Sequence, residues 1–273
     1  MHPPEGTVRP LVVEIPHAGL QVPPLFAPQL LASARAMARD ADLYVDDLYQ
    51  DAALEGATLL VSRVSRYVVD LNRAETDVDS ESVRGGSTAQ RAPRGVIWRL
   101  TTEGDRCLSA PLSPAEFEAR MRAIHRPYHE ALQGLVASAV ARFGYCVLLA
   151  AHSMPSVGRS GHGDAGAPRA DVVPGTQGRS TASARVIDAV DRVSEEAGLT
   201  VLHDDPYRGG FTTRHYGRPR DGVHAIQVEL SRRLYMDEAT LAPLGAGSGG
   251  EGFAGTRRFC RSIVRALATL DRP

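Results

Sequence analysis

Lysine is absent from this 273-residue chain, so every basic side chain other than histidine is arginine. That bias is what a GC-rich genome produces, and it assigns no function. An excess of either charge is also missing. The formal net charge is −1, which gives no reason to expect a nucleic-acid partner or a basic membrane patch. There are only three cysteines, Cys107, Cys146 and Cys260, far apart and odd in number. They exclude a disulfide framework and suit a reducing compartment, so a cytoplasmic protein is expected. Cys146 lies in an apolar run and is expected in the core. No apolar stretch approaches the roughly 20 residues that span a bilayer. Met1–Pro10 lacks the charged-then-apolar order of a signal peptide. No His-Glu-x-x-His helix and no phosphate loop is present.

The remaining composition is that of a soluble globular protein, 43% hydrophobic and 23% charged. Neither an internal repeat nor a linker divides it, so residues 1–273 are expected to form a single domain. Leu11–Ile15 suits a strand ending at His17. Pro28–Leu54 has helical spacing, with Asp42 at the edge of an inward face. Ala57–Arg73 is expected to hold one or two strands, followed by a long irregular loop, Ala74–Arg94. Ser113 to Glu116 form a capping box. The helix they open should kink or break at Pro127 and resume to a Gly144 cap. Tyr145–Ala151 reads as a strand leading to His152, and Ser156–Gly178 as a glycine-rich loop. Ser180–Gly198 reads as a helix, Thr200–His203 as a short strand and Val223–Leu230 as a strand. A glycine-dense stretch, Gly245–Gly252, precedes a closing helix, Phe253–Leu270. Strands alternating with helices predict an α/β sandwich around a mixed, mostly parallel sheet.

Chemistry concentrates where strands end. Ser65–Arg73 places Arg66, Asp70, Asn72 and Arg73 close together. Arginine's planar fork matches a carboxylate, so the stretch suits an anion clamp, with an ion-pair corner as the plain alternative. His17 and His152 follow two strands, and Glu229 interrupts a third. Two histidines and one carboxylate suffice for a catalytic zinc, with Glu229 as candidate general base. For Glu229 the plain alternative is a partner in Arg232 or Arg233. Asp42 is a candidate third ligand, with Asp40, Asp46 and Asp47 as competitors and a solvated acidic face as the plain alternative. Two donor-rich clusters remain. Asp171–Ser180, with Arg179, could cradle an anion, and Tyr207–Gly217, with Arg214 and His215, could face a substrate. Either could equally be a solvated turn.

Several segments, in order along nearly the whole chain, match one known pattern. They are Ile15–Gly19, Asp40–Asp42 with Leu48–Tyr49, Ser65–Arg73, Arg126–His129, Arg142–Tyr145, Ala151–Met154, Gly210–Gly217 and Gly222–Glu229. On these the chain resembles the N-formylglutamate amidohydrolases, a family similar to the zinc carboxypeptidases and aspartoacylases. The resemblance implies a three-layer α/β/α fold and one Zn²⁺ per chain, or another divalent metal. It implies hydrolysis of N-formyl-L-glutamate to formate and glutamate, in histidine breakdown. By the same resemblance His17, Asp42 and His152 would hold the metal, with Asp40 the alternative to Asp42. Glu229 would be the base and Arg66 would steady the oxyanion. Asn72 and Arg73 would bind a substrate carboxylate, with Arg179 and Arg214 as further substrate-binding candidates. Two features depart from the family pattern. Leu43-Tyr44 stands where Trp-His is usual, and the loop from Ala74 to Thr101 differs; both bear on the acyl amino acid. Another small amide or peptide fragment as substrate, or a non-catalytic carboxylate binder, are the competing expectations. The oligomeric state is open.

Overall fold

A computed structural model describes residues 1–86, 94–160, 163–245 and 252–273 of the chain. Its centre is a five-stranded sheet. The strands are β1 (Leu11–Ile15), β2 (Thr58–Val61), β3 (Cys146–Met154), β4 (Val172–Gly175) and β5 (Val223–Ser231), in the order β2-β1-β3-β5-β4. The first four in that order run parallel and β4 runs antiparallel. The expected mixed, mostly parallel sheet is therefore present. Every residue of β3 and β5 is buried, as expected for strands covered on both faces.

Helices pack on both sides. Leu11, Val13, Ile15, Val147, Leu149, Ile226 and Val228 project to one face. There they meet α2 (Val45–Leu48), α5 (Ala184–Glu196) and α7 (Gly252–Ala268). Val12, Leu148 and Ala225 alternate to the other face. They meet Met121, Leu132 and Val136 of the helical run formed by α3 (Pro114–Arg120) and α4 (Arg126–Phe143). This is a three-layer α/β/α arrangement. No helix among the described residues is long and apolar enough to cross a membrane.

Several local expectations need correction. The helix expected over 28–54 is broken. α1 (Ala34–Asp40) ends at Ala41, whose extended backbone (ψ 153°) turns the chain out before α2 begins. Asp42 thus sits in the break and not on a helix face. Ser113 does form its capping box, and Gly144 caps α4 with a φ of +79°. Pro127, however, does not interrupt the helix. Just before it, the Arg126 N–H bonds the Met121 carbonyl five residues back. This widened π turn makes room for a ring that would clash with a regular α turn.

The strand expected through Arg73 stops at Val61. Beyond it the chain runs as loop, and side chains of the long helix supply bonds that a sheet would have given. Arg120 donates to the Val68 carbonyl (2.7 Å), His129 to Leu71 (3.0 Å) and His125 to Arg73 (2.9 Å). The loop expected over 156–178 contains β4, which Pro174 restricts to the sheet edge, since it cannot donate to a ladder. Thr200–His203 is not a strand; only Val201 bridges, to Val172. A short helix, α6 (Phe211–Tyr216), occupies the donor-rich 207–217 stretch. Residues 246–251, most of the glycine-dense stretch, lie outside the described residues, as do 87–93 and 161–162 of the two loops.

Candidate active site

On the face of the sheet covered by α4, alternation places Val12 and Glu14 of β1, Leu148 and His152 of β3, and Ala225, Gln227 and Glu229 of β5. The row is apolar at one end and polar at the carboxyl end. His152 and Glu229 are direct partners in the ladder. His17 follows β1 by two residues, at the same end of the sheet. Sites in parallel sheets collect at this end. Asp42 joins from the break between α1 and α2, and its backbone N–H donates to the His17 carbonyl at 3.0 Å.

Arg232 sets the rotation of Asp42. Its guanidinium donates to the Arg39 and Ala41 carbonyls at the end of α1 (2.6 and 2.7 Å), and to Asp42 Oδ1 at 3.4 Å. The other oxygen, Oδ2, lies 2.9 Å from His152 Nδ1 and 3.6 Å from His17 Nδ1. Burial opposes ionisation of Asp42, but the two histidines outweigh it and hold the carboxyl well below its usual range. Burial also opposes the charged form of His152, yet Asp42 and Glu229 shift its pKa upward.

His17 Nε2–H donates to Asp70 Oδ1 at 2.7 Å, while Nδ1 is buried with no hydrogen-bond partner. A buried nitrogen left unpaired is costly. Here it lies beside a carboxylate and a second imidazole, with one ligand atom from each of the three residues within 4.8 Å of the others. A carboxylate behind a histidine and a free lone pair in front is the arrangement of a metal-binding histidine. The three residues therefore fit a divalent metal. Asp40, the alternative ligand, does not join them. Its oxygens accept from Tyr67 Oη (2.5 Å), Thr102 N (2.9 Å), Thr102 Oγ1 and Arg159 Nη1 (2.6 Å).

Asp70 organises more of the site than its neighbourhood in sequence suggests. Oδ1 also accepts the Asn72 N–H at 2.9 Å. Oδ2 accepts from Trp98 Nε1 (2.9 Å) and from Arg66 Nη2 (2.9 Å). The Arg66 guanidinium stacks on Trp98, 4.4 Å from the ring centre. Burial works against its charge, but Asp70 and Asp42 more than compensate, so Arg66 is held firmly protonated. Glu229 is 6% exposed and accepts Gln227 Nε2 at 2.8 Å. Burial raises its pKa, opposed by His152, with the Asp42 charge adding to the rise.

His17, Asp42, Arg66, Trp98, His152 and Glu229 line a cleft of about 390 Å³. Arg73 reaches it, with its side chain 45% exposed. Asn72 reaches it too, but its amide is committed. Nδ2 donates to Gln227 Oε1 (3.1 Å), and Oδ1 accepts from Thr212 N and Oγ1 (both 3.0 Å). Arg179 and Arg214 are not in the cleft. Arg179 pairs with Asp188 on the outer surface (3.1 Å), and Arg214 points to solvent from α6.

A sequence model of the N-formylglutamate amidohydrolase family matches residues 9–236. The chain belongs to that family. It is 31% identical to the N-formylglutamate deformylase of Pseudomonas putida over 233 residues, which is 84% of this chain and 82% of that one. It is 33% identical to the Pseudomonas aeruginosa enzyme of the same name over 234 residues, 84% and 83% of the two chains. A crystal structure of the N-formylglutamate amidohydrolase from Ralstonia eutropha JMP134 superposes with a TM-score of 0.86. It has 30% identity and covers 97% of this chain and 95% of that one. The match to this amidohydrolase family spans every residue of the His17, Asp42, His152 and Glu229 group.

Trp98, Gln227, Arg94, Arg159 and Arg208 also line the cleft and were not singled out from the sequence as site residues. Gln227 alone carried a usable signal. It is polar, and it lies two residues before Glu229, on the same face of a strand whose every residue is buried.

Proposed function

We propose that this chain is a metal-dependent hydrolase that cleaves the formamide of N-formyl-L-glutamate to formate and L-glutamate. The observation that carries the reading is the unpartnered Nδ1 of His17, facing Asp42 and His152 with Glu229 in register beside them. The names of the deformylases it resembles support the substrate. His17, Asp42 and His152 would hold the metal, zinc being the first candidate for such a donor set. When bound, a divalent ion of this kind supplies Lewis acidity that brings the pKa of water towards neutrality.

The chain's own residues do the rest. Glu229, its pKa raised by burial, accepts a proton from the attacking water. Arg66, locked by Asp70 and Trp98, directs positive charge at the oxygen of the formyl group as negative charge develops there. Glu229 then delivers the proton to the departing amine nitrogen. Arg73 at the cleft wall holds a substrate carboxylate.

A screen of zinc-supplemented protein against N-formyl and N-acetyl amino acids, read as formate or acetate release, tests the substrate. N-formyl-L-glutamate is expected to give the highest kcat/KM. A higher value for a neutral N-acyl amino acid would overturn the assignment.

A further inference from the structure

Six guanidiniums line the cleft, and three of them are committed. Arg66 pairs with Asp70, Arg159 with Asp40 and Arg232 with Asp42. Among the described residues, Arg94 and Arg208 have no ion-pair partner, and Arg73 has only Asp77, at 4.0 Å. Arg94 is set in the wall, its Nε buried and its guanidinium 6.0 Å from the Trp98 ring centre. Arg208 is at the exposed rim.

The backbone that carries Arg208 is unusually well held for a rim loop. Gln177 N donates to the Arg208 carbonyl (2.9 Å), and Gln177 Nε2 to that of Gly209 (2.6 Å). Asp204 accepts Thr176 N and Gly178 N, both at 2.8 Å, with its own φ at +56°. Gly210 N donates to Gln227 Oε1 at 2.9 Å. The loop is thus tied to the β4–α5 turn on one side and to the polar end of β5 on the other. A charged group on a preorganised backbone loses less freedom when it binds a ligand.

Arg73 and Arg208 differ in their surroundings. Arg73 adjoins Asn72, whose Nδ2 is 3.3 Å from His152 Nε2. It lines the same cleft as His17, Asp42 and His152, the end at which the carboxylate next to the scissile amide would lie. Arg208 lines the cleft from its exposed rim, with Nη2 beside Gly178 of the β4–α5 turn, and it is the cation left there for a carboxylate at the end of a side chain.

We propose that Arg208 is the specificity residue that reads the side-chain carboxylate of the substrate and makes this site selective for dicarboxylic N-acyl amino acids. This rests on the reading of the cleft as an N-acyl amino acid site. A site built to pair a charged group rejects the neutral isostere, because its own cation is then left unpaired.

The test compares L-glutamate with L-glutamine, and N-formyl-L-glutamate with N-formyl-L-glutamine, on wild type, Arg208→Gln and Arg208→Lys. Affinities come from calorimetry and KM from formate release. The wild type should prefer the dicarboxylate. Arg208→Gln should reduce that preference about tenfold to a hundredfold, the range for losing a hydrogen bond to a charged group. The loss should fall on the dicarboxylates, with kcat little changed, and Arg208→Lys should recover part of it. An unchanged preference in Arg208→Gln overturns the proposal, as does equal weakening of both ligands or a wild type without preference. If wild type prefers glutamate through Arg208 but releases no formate from either formyl compound, the deformylase reading fails and this one stands.

Discussion

The Nε2–H of His17 donates to Oδ1 of Asp70 across 2.7 Å, and both side chains are closed to solvent. The same carboxylate holds Arg66 and Trp98. One buried group thereby orients both the imidazole proposed to bind the metal and the arginine proposed to face the reacting oxygen.

Replacing Asp70 with asparagine should disturb both functions at once. Zinc affinity, read by competition with a chromophoric chelator, should fall about 10–100-fold, as for other partners behind a ligating histidine. Thermal stability should fall as well, because Arg66 keeps its charge and loses its counter-ion. Unchanged zinc affinity in a folded Asp70→Asn protein would remove Asp70 from its place behind His17.

The arginines make separable predictions. Arg73→Ala should raise KM for N-formyl-L-glutamate and leave kcat within a few-fold, the pattern of lost substrate binding. Arg179→Ala and Arg214→Ala should leave both constants near wild type, since neither side chain reaches the cleft. A KM effect at Arg179 or Arg214 comparable to that at Arg73 would contradict the placement of these side chains.

Gly210 is packed against Asn72. A Cβ added there would sit 2.2 Å from Asn72 Nδ2 and 2.4 Å from Cγ, and Asn72 has little space to retreat because Thr212 and Gln227 hold its amide. Gly210→Ala should therefore cost about 1–3 kcal/mol of stability, the usual penalty for overpacking. It should also lower kcat/KM by shifting the cleft floor. A denaturation midpoint equal to wild type would show that the loop yields freely.

Glu55 ties α7 to the turn before β2, accepting Arg261 Nε (2.6 Å) and Arg265 Nη2 (2.9 Å). Arg265 lowers its pKa from an ordinary 4.5 to about 2 against the opposing effect of burial, with Arg261 adding to the fall. A depressed carboxylate stabilises the fold fully above its unfolded value and loses that contribution as pH falls through the folded one. Glu55→Gln should thus melt lower than wild type at pH 7, and the gap should close between about pH 4.5 and 2. A gap that persists undiminished at pH 2 would rule out this ion pair as its origin.

What the sequence disclosed follows physical locality. His17, His152 and Glu229 were legible because strands deliver side chains to a known end of the sheet, and Glu229 is conspicuous in a strand with no exposed residue. The sheet itself was legible from apolar runs, except β4, whose Pro174-Gly175 reads as loop. Ser65–Arg73 was recognisable as chemistry but not as loop, because the bonds that hold it come from Arg120, His125 and His129, some 50 residues later. Asp70 looked like a neighbour for arginines; only the folded chain brings His17 and Trp98 to it. Arg208, Arg179 and Arg214 sit in similar glycine-punctuated stretches, and nothing local distinguishes the one whose turn faces the cleft.

The most direct test of the account is a zinc titration of chelator-treated protein, with formate release from N-formyl-L-glutamate followed at each step, for wild type and Glu229→Gln. The account predicts that wild-type activity rises to a plateau at about one zinc per chain, the stoichiometry of a single three-ligand catalytic site. It predicts that Glu229→Gln binds the same zinc and releases almost no formate. Full activity in the metal-free wild type, or near wild-type turnover in Glu229→Gln, would contradict it.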